Sequence, residues 1–203
     1  MIRTKDNIPM SNNKSKVYIT QTLLNSWQYV LSSDADKVQD AYNDFINTLN
    51  KIHTPPNFFM ERGIQFEQDC VDGKVEVISD LIKGGVFQAT GTKVIDVDNV
   101  EVLLYGKLDC LKAGIIYDIK RVSKYETPKY FNSYQHHLYM ELIPEAIAFT
   151  YLINDGEQTY IETYRRDEVK PMAPVIHHFF NWLKERNLFG VFQEKWKSKE
   201  KEK

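Results

Sequence analysis

Apolar positions recur along the chain with two different periods, and the change between them divides it. The stretch "TQTLLNSWQYVLSS" places Leu23, Leu24, Trp27, Val30 and Leu31 at helical spacing, with Thr20 suited to cap the N-terminus. Ser32, Ser33 and Asp34 interrupt this pattern before a second helical segment over about 35–49, and "HTPPNF" then breaks the chain. A third helix is predicted from near Phe58 to a terminating glycine, Gly73. From Val86 the period falls to two. The segments "GVFQATGTKVIDVD", "NVEVLLYGKLDCLK" and "GIIYDIKRV", separated by Asp-Asn and Ala-Gly turns, predict three consecutive antiparallel strands. "TPKYFNSYQHHLYMELIP" follows as a helix bounded by Thr127 at the cap, Pro128 at the first helical position and Pro144 past the end. "EAIAFTYLINDGEQTYIETYRR" reads as a hairpin turning at Asn154-Asp155-Gly156. The closing helix, "APVIHHFFNWLKERNLFG", sets Val175, Phe179, Trp182 and Leu183 on one side.

This order predicts an α/β fold. Its mixed central sheet has about five strands, the first three antiparallel, with flanking helices and further helices at the N-terminus; the helix after the third strand lets a later strand pair in parallel. The chain of 203 residues suits one domain, expected over 17–192, with a flexible N-terminus at 1–16 and a lysine-rich tail at 193–203. A composition 42% hydrophobic and 13% aromatic supplies a real core and argues against disorder. Only two cysteines, Cys70 and Cys110, are present, and neither lies close to a histidine. That pattern argues against a zinc finger or disulfide scaffold and favours a reducing compartment. No signal-peptide core and no membrane-length apolar run are visible, so a cytosolic protein is expected. A net charge of −2 excludes nucleic-acid binding through bulk charge and leaves it to local basic patches.

The third strand carries charge where alternation expects a simple apolar ladder. Asp118 and Lys120 must share one face while Tyr117 and Ile119 take the other. If "LKAGII" closes through a four-residue turn at 112–115, Leu111 pairs with Ile116 and Asp109 falls opposite Asp118. Facing carboxylates repel each other, so some compensation is required. A divalent cation is one answer, because Mg²⁺ takes oxygen ligands from carboxylates, waters and backbone carbonyls such as that of Ile119. Lys120 could then orient a water or steady charge on a phosphate. A surface salt bridge from Asp109 to Lys107 or Lys120 is the other answer. The hairpin alone leaves both open.

With its flanking helices the hairpin resembles the PD-(D/E)XK nuclease superfamily, in its RecB-like and lambda exonuclease-like branch. The likeness rests on Asp109 in "GKLD" and on Asp118-Ile119-Lys120. It also rests on "RGIQFE", where Glu67 follows Gly63 by four residues, and on "QHHLY", which matches Q-x-x-x-Y at Gln135 and Tyr139. Including "YITQTLLNSW", it spans about residues 20–185. The resemblance implies a restriction-endonuclease-like core and a metal-dependent DNA nuclease. Glu67, Asp109, Asp118 and the Ile119 carbonyl would hold Mg²⁺ or Mn²⁺. Lys120 would be the catalytic lysine, in a catalytic set with Asp109, Asp118, Gln135 and Tyr139, the last two also touching DNA. Arg62, Arg121, Lys124 and Lys129 are expected around this site as phosphate contacts.

By resemblance the protein is further expected to be an exonuclease of phage or mobile-element type. It would act on double-stranded DNA ends in recombination or end processing, with a ring-shaped homo-oligomer as the assembly the resemblance allows and no membrane partner. Two positions depart from the family pattern: Glu67 replaces a common histidine, which leaves an all-oxygen site, and Arg121 stands where many members have Thr. Two cysteines are too few for the iron–sulfur cluster of one branch, so no cluster is expected. The rival readings are a non-catalytic DNA- or protein-binding module on the same fold and a small restriction-type endonuclease. Retained repelling carboxylates disfavour the first, and the lack of an insertion able to reach base edges disfavours the second. His136 and His137 are expected at the surface, and His177 and His178 in structural roles.

Overall fold

The computed structural model describes residues 16–53 and 55–198. The chain opens with β1 (Lys16–Thr20), α1 (Gln21–Ser32), α2 (Val38–Leu49), α3 (Phe58–Val71) and α4 (Glu76–Ile82). Next come β2 (Val86–Phe87), β3 (Thr90–Val97), β4 (Val100–Lys107), β5 (Cys110–Lys112) and β6 (Ile115–Arg121). The second half contains α5 (Tyr134–Leu142), β7 (Ala148–Asn154), β8 (Thr159–Arg165), a 3-10 turn at Arg166–Glu168, α6 (Met172–Glu185) and α7 (Phe189–Lys195).

The α/β class and the crossover are as expected: β6 and β7 pair in parallel across α5, and β8 returns antiparallel to β7. The sheet differs from the expected single ladder of about five strands. Among the described residues there are two sheets, ordered β1-β4-β3 and β2-β5-β6-β7-β8. The predicted first and second strands each split. Gln88 has φ 55°, which bends the first between β2 and β3, and the second breaks over Leu108 and Asp109 between β4 and β5. The hairpin contact survives the bend, because Gln88 N–H donates to the Asp109 carbonyl at 3.1 Å and Leu108 N–H to the Ala89 carbonyl at 2.8 Å.

Other boundaries move for tertiary reasons. β1 precedes the first helix with alternate residues Val17 and Ile19 buried, and it runs parallel to β4. Thr20 ends it and caps α1, accepting the Leu23 amide N–H at 3.3 Å. The helix expected from Pro128 begins instead at Tyr134, capped by Ser133; the Thr127–Pro128 peptide is cis, and the backbone of Tyr130 is tied to a side chain of β8. At the other end, the expected tail begins inside α7. Trp196 is buried and donates its indole N–H to the Leu49 carbonyl at 2.9 Å, and Lys197 bridges to Val17. Residues 1–15 and 199–203 of the expected flexible ends lie outside the described residues.

Two apolar clusters result. The larger joins α1, α2, α5, α6 and α7 to the sheets through Trp27, Phe45, Phe149, Tyr151, Phe179 and Phe192. The smaller packs α3 and α4, through Cys70, Ile78 and Ile82, on Tyr117, Ile119 and Leu152. One face of β6 is thereby sealed with apolar side chains and the opposite face, with Asp118, is turned toward α5. No described helix is long and apolar enough to cross a membrane.

Candidate active site

The β5–β6 turn sets the site. Ala113 and Gly114 have φ 50° and 77°, the pair of positive values that lets a two-residue turn follow the twist of its strands. Leu111 then pairs with Ile116 and Cys110 with Tyr117. This is the Leu111–Ile116 register expected from the sequence; Asp109 lies one residue before the ladder, at the strand break, and lines the same cavity as Asp118. Asp109 Oδ2 accepts the Ile119 amide N–H at 2.9 Å.

Asp118 is 3% exposed. Its Oδ1 accepts a hydrogen bond from Gln135 Nε2. Lys120 Nζ stands 2.7 Å from Oδ2, and this ion pair is what compensates the second oxygen.

Gln135 and Tyr139 lie one turn apart on α5, 3% and 5% exposed. The Tyr139 hydroxyl donates to the Lys107 carbonyl at 3.0 Å and its ring stacks on Phe149. Gly106 makes room for this approach. A Cβ there would collide with the Tyr139 ring and stand 2.7 Å from Leu142 Cδ1.

Asp109, Asp118, Lys120, Gln135 and Tyr139 line one cavity of about 340 Å³. Its remaining walls are Thr20, Gln21 and Thr22 at the start of α1 and Tyr105, Gly106 and Lys107 at the end of β4. Glu67, on α3, stands outside that lining. It is half-buried and accepts a hydrogen bond from Gln88 Nε2, the side chain at the strand bend.

The charges in this region do not balance. Burial, then the Asp118 charge, push the Asp109 carboxyl up to about 8, against the opposing pull of Lys120 and the Ile119 amide. Burial also holds Asp118 above its ordinary range, although Lys120 and Gln135 oppose the rise. Glu67 is raised by burial and by Asp118. Burial alone would lower the Lys120 ammonium, but Asp118, Asp109 and Glu67 together outweigh it and raise its pKa. Three carboxyls share the half-buried Lys120 ammonium, with Lys107 also acting on Glu67.

The raised carboxyls, all with oxygen donors, have the chemistry of a hard divalent cation site. Among the described residues no three His, Cys, Asp or Glu groups converge to hold a metal ion, so the side chains form no closed cage. Mg²⁺ needs none, since it is ordinarily bound through one or two carboxylates with waters and substrate phosphates completing the shell.

The expected phosphate contacts lie elsewhere. Arg62 and Arg121 line a separate groove of about 230 Å³ with Phe59, Val122, Ser123 and Asp155. Arg121 donates to the Val122 and Asn154 carbonyls at 2.9 and 3.0 Å. Lys124 pairs with Glu126 at 2.5 Å, and Lys129 donates to the Lys124 carbonyl at 3.3 Å. None of these four is in the lining of the Asp109–Asp118 cavity. His136, expected at the surface, is 1% exposed and stacks on Tyr164 with centroids 4.0 Å apart, while His137 is half-buried and accepts the Lys170 amide N–H. His177 pairs with Asp98 at 2.8 Å, and His178 meets the edge of Trp27. Sequence reasoning missed Lys107 and the start of α1 as cavity walls. The Thr-Gln-Thr run after the β1 alternation was the available signal.

No family model and no curated protein matches the chain. Solved structures with a similar chain path include SSO0001, at 12% identity and TM-score 0.48 over 88% of this chain and 79% of that one. LHK-Exo in complex with dAMP is similar at 14% identity and TM-score 0.45, covering 87% of each chain. Rai1 of Scheffersomyces stipitis is similar at 13% identity and TM-score 0.37, over 85% of this chain and 62% of that one.

Proposed function

We propose that the chain is a metal-dependent deoxyribonuclease hydrolysing phosphodiester bonds. The observation that carries this reading is the gathering of Asp109, buried Asp118 and Lys120, whose ammonium is 2.7 Å from Asp118 Oδ2, in one cavity with Gln135 and Tyr139. Asp109 and Asp118 would hold Mg²⁺ or Mn²⁺, with Glu67 and the Ile119 carbonyl as further oxygen ligands. Such an ion supplies Lewis acidity and an acidified water.

The chain's own groups do the rest. Lys120 orients the attacking water and offsets charge developing on the phosphate. Gln135 fixes Asp118 through Oδ1, and Tyr139, tied to the Lys107 carbonyl, shapes the wall beside it. The start of α1 presents backbone amides and the positive end of a helix to the same cavity, which favours a phosphate there. On α3, Phe58 and Phe59 are exposed beside Arg62, whose guanidinium lies over the Phe58 ring, and offer flat faces to bases. With Arg121, Lys124 and Lys129 they form an outer track for the strand rather than contacts at the scissile phosphate.

An exonuclease acting on double-stranded ends in recombination or end processing is the form this activity takes in the proposal. Incubation with linear and circular duplex DNA in Mg²⁺, Mn²⁺ or EDTA tests it, beside Asp118→Ala and Lys120→Ala. Metal-dependent loss of linear DNA alone is expected. Fragments from circles indicate an endonuclease instead, and no cleavage by the parent overturns the reading in favour of a binding module.

A further inference from the structure

Residues 122–133, which join β6 to α5, form an irregular connection longer than most, and one side chain ties it down in two places. Glu162 of β8 is 8% exposed. Its Oε2 accepts the Tyr125 hydroxyl at 2.6 Å, and its Oε1 accepts the Tyr130 amide N–H at 3.0 Å and the Tyr164 hydroxyl. Hydrogen bonds to a carboxylate are the strong ones, so this group fixes the connection against β8.

The same donors enclose the first turn of α5. The Tyr130 ring stacks on Tyr151 with centroids 4.3 Å apart, and Tyr164 stacks on His136 at 4.0 Å and 2°. Tyr151 OH and His136 Nδ1 lie 3.2 Å apart, closing the ring of contacts. Tyr151 is the cross-strand partner of Asp118, and His136 is the neighbour of Gln135, whose amide is on Asp118 Oδ1. Movement of the aromatic cage therefore moves the amide that orients Asp118.

We infer that Glu162 is a positioning residue for the proposed cleavage reaction, acting through Gln135 on Asp118. The inference rests on the nuclease reading above. The test is a double-mutant cycle on DNA cleavage with Glu162→Gln, Gln135→Ala and the double variant. Glu162→Gln turns one accepting oxygen into a donor while keeping the shape. Alone it should lower kcat by about tenfold with KM for DNA unchanged. In the Gln135→Ala background its effect should shrink to less than about twofold, because the residue through which it acts is gone. Equal factors in both backgrounds, or a change confined to thermal stability, overturn the inference and leave the nuclease reading intact. A parent protein without metal-dependent cleavage overturns both. If Glu162→Gln does not fold by circular dichroism, Tyr125→Phe, which removes a single donor at the half-buried rim, takes its place in the cycle with the same expected outcomes.

Discussion

Two carboxylates are buried in the same sheet, Asp118 on β6 and Glu162 on β8, on either side of β7, and they are treated differently. Glu162 has donors on both oxygens, from Tyr125, Tyr130 and Tyr164. Asp118 has one amide donor, an ammonium 2.7 Å from its other oxygen, and a second carboxyl, Asp109, in the same cavity. Asp118 thus sits among interacting charges at a cavity, the setting the proposed cation and phosphate need, whereas Glu162 holds structure in place.

The comparison can be broken most sharply at Asp118. Asp118→Asn should lower the rate of linear-DNA cleavage by roughly 10³-fold, while the metal-free protein melts no lower than the parent, since burial already disfavours the charged form of this carboxyl. A large fall in the melting temperature would place Asp118 beside Glu162 as a structural acid. At Glu162 the order reverses. Glu162→Ala strands three donors and should destabilise the fold by about 2–4 kcal/mol in urea titration; a change under about 0.5 kcal/mol would deny it the structural half of the comparison. Gly106→Ala drives a methyl into Tyr139 and Leu142, for an expected loss of about 1–3 kcal/mol together with slower cleavage.

The smallest effect is the pH dependence of the cavity around Asp118. Asp109 titrates near 8 in the folded protein against 3.8 as the ordinary value, so the unfolded chain loses its proton first. The contribution of Asp109 to metal-free stability should therefore be fully present below about pH 4 and decline as pH rises toward 8. Mg²⁺ should raise the melting temperature more at pH 8 than at pH 5, because the ion competes with that proton. Melting curves with and without Mg²⁺ at both pH values check this; an equal shift at both would remove Asp109 from the cation site.

The register of the hairpin was legible because it is local: Ala113-Gly114 names the turn, and alternation places Asp118 and Lys120 together. Gln135 and Tyr139, singled out by the resemblance, line the cavity, whereas Glu67, chosen by its distance to Gly63, stands outside that lining, and the start of α5 was not legible. Ser133 rather than Pro128 begins that helix because Tyr130 is held by Glu162 from β8, a partner that local pattern cannot reveal. The bend at Gln88 and Asp109, the burial of His136 and the role of Trp196 beside β1 are likewise set by residues far away in sequence. The four expected phosphate contacts were chosen by charge and nearness in sequence, and the cavity is instead walled by residues from β4 and α1.

The two-residue turn at Ala113 and Gly114 has one more consequence. Strand residues alternate faces, so a single amino acid inserted there would reverse the facing of everything on one side of the turn relative to the other. Asp109 would be presented to the greasy underside with Tyr117 and Ile119, although no residue of the cavity had been changed. The length of this loop should therefore be as intolerant of drift as the acids it aligns, and a deletion or duplication of one codon there should silence the protein as surely as removing a carboxylate.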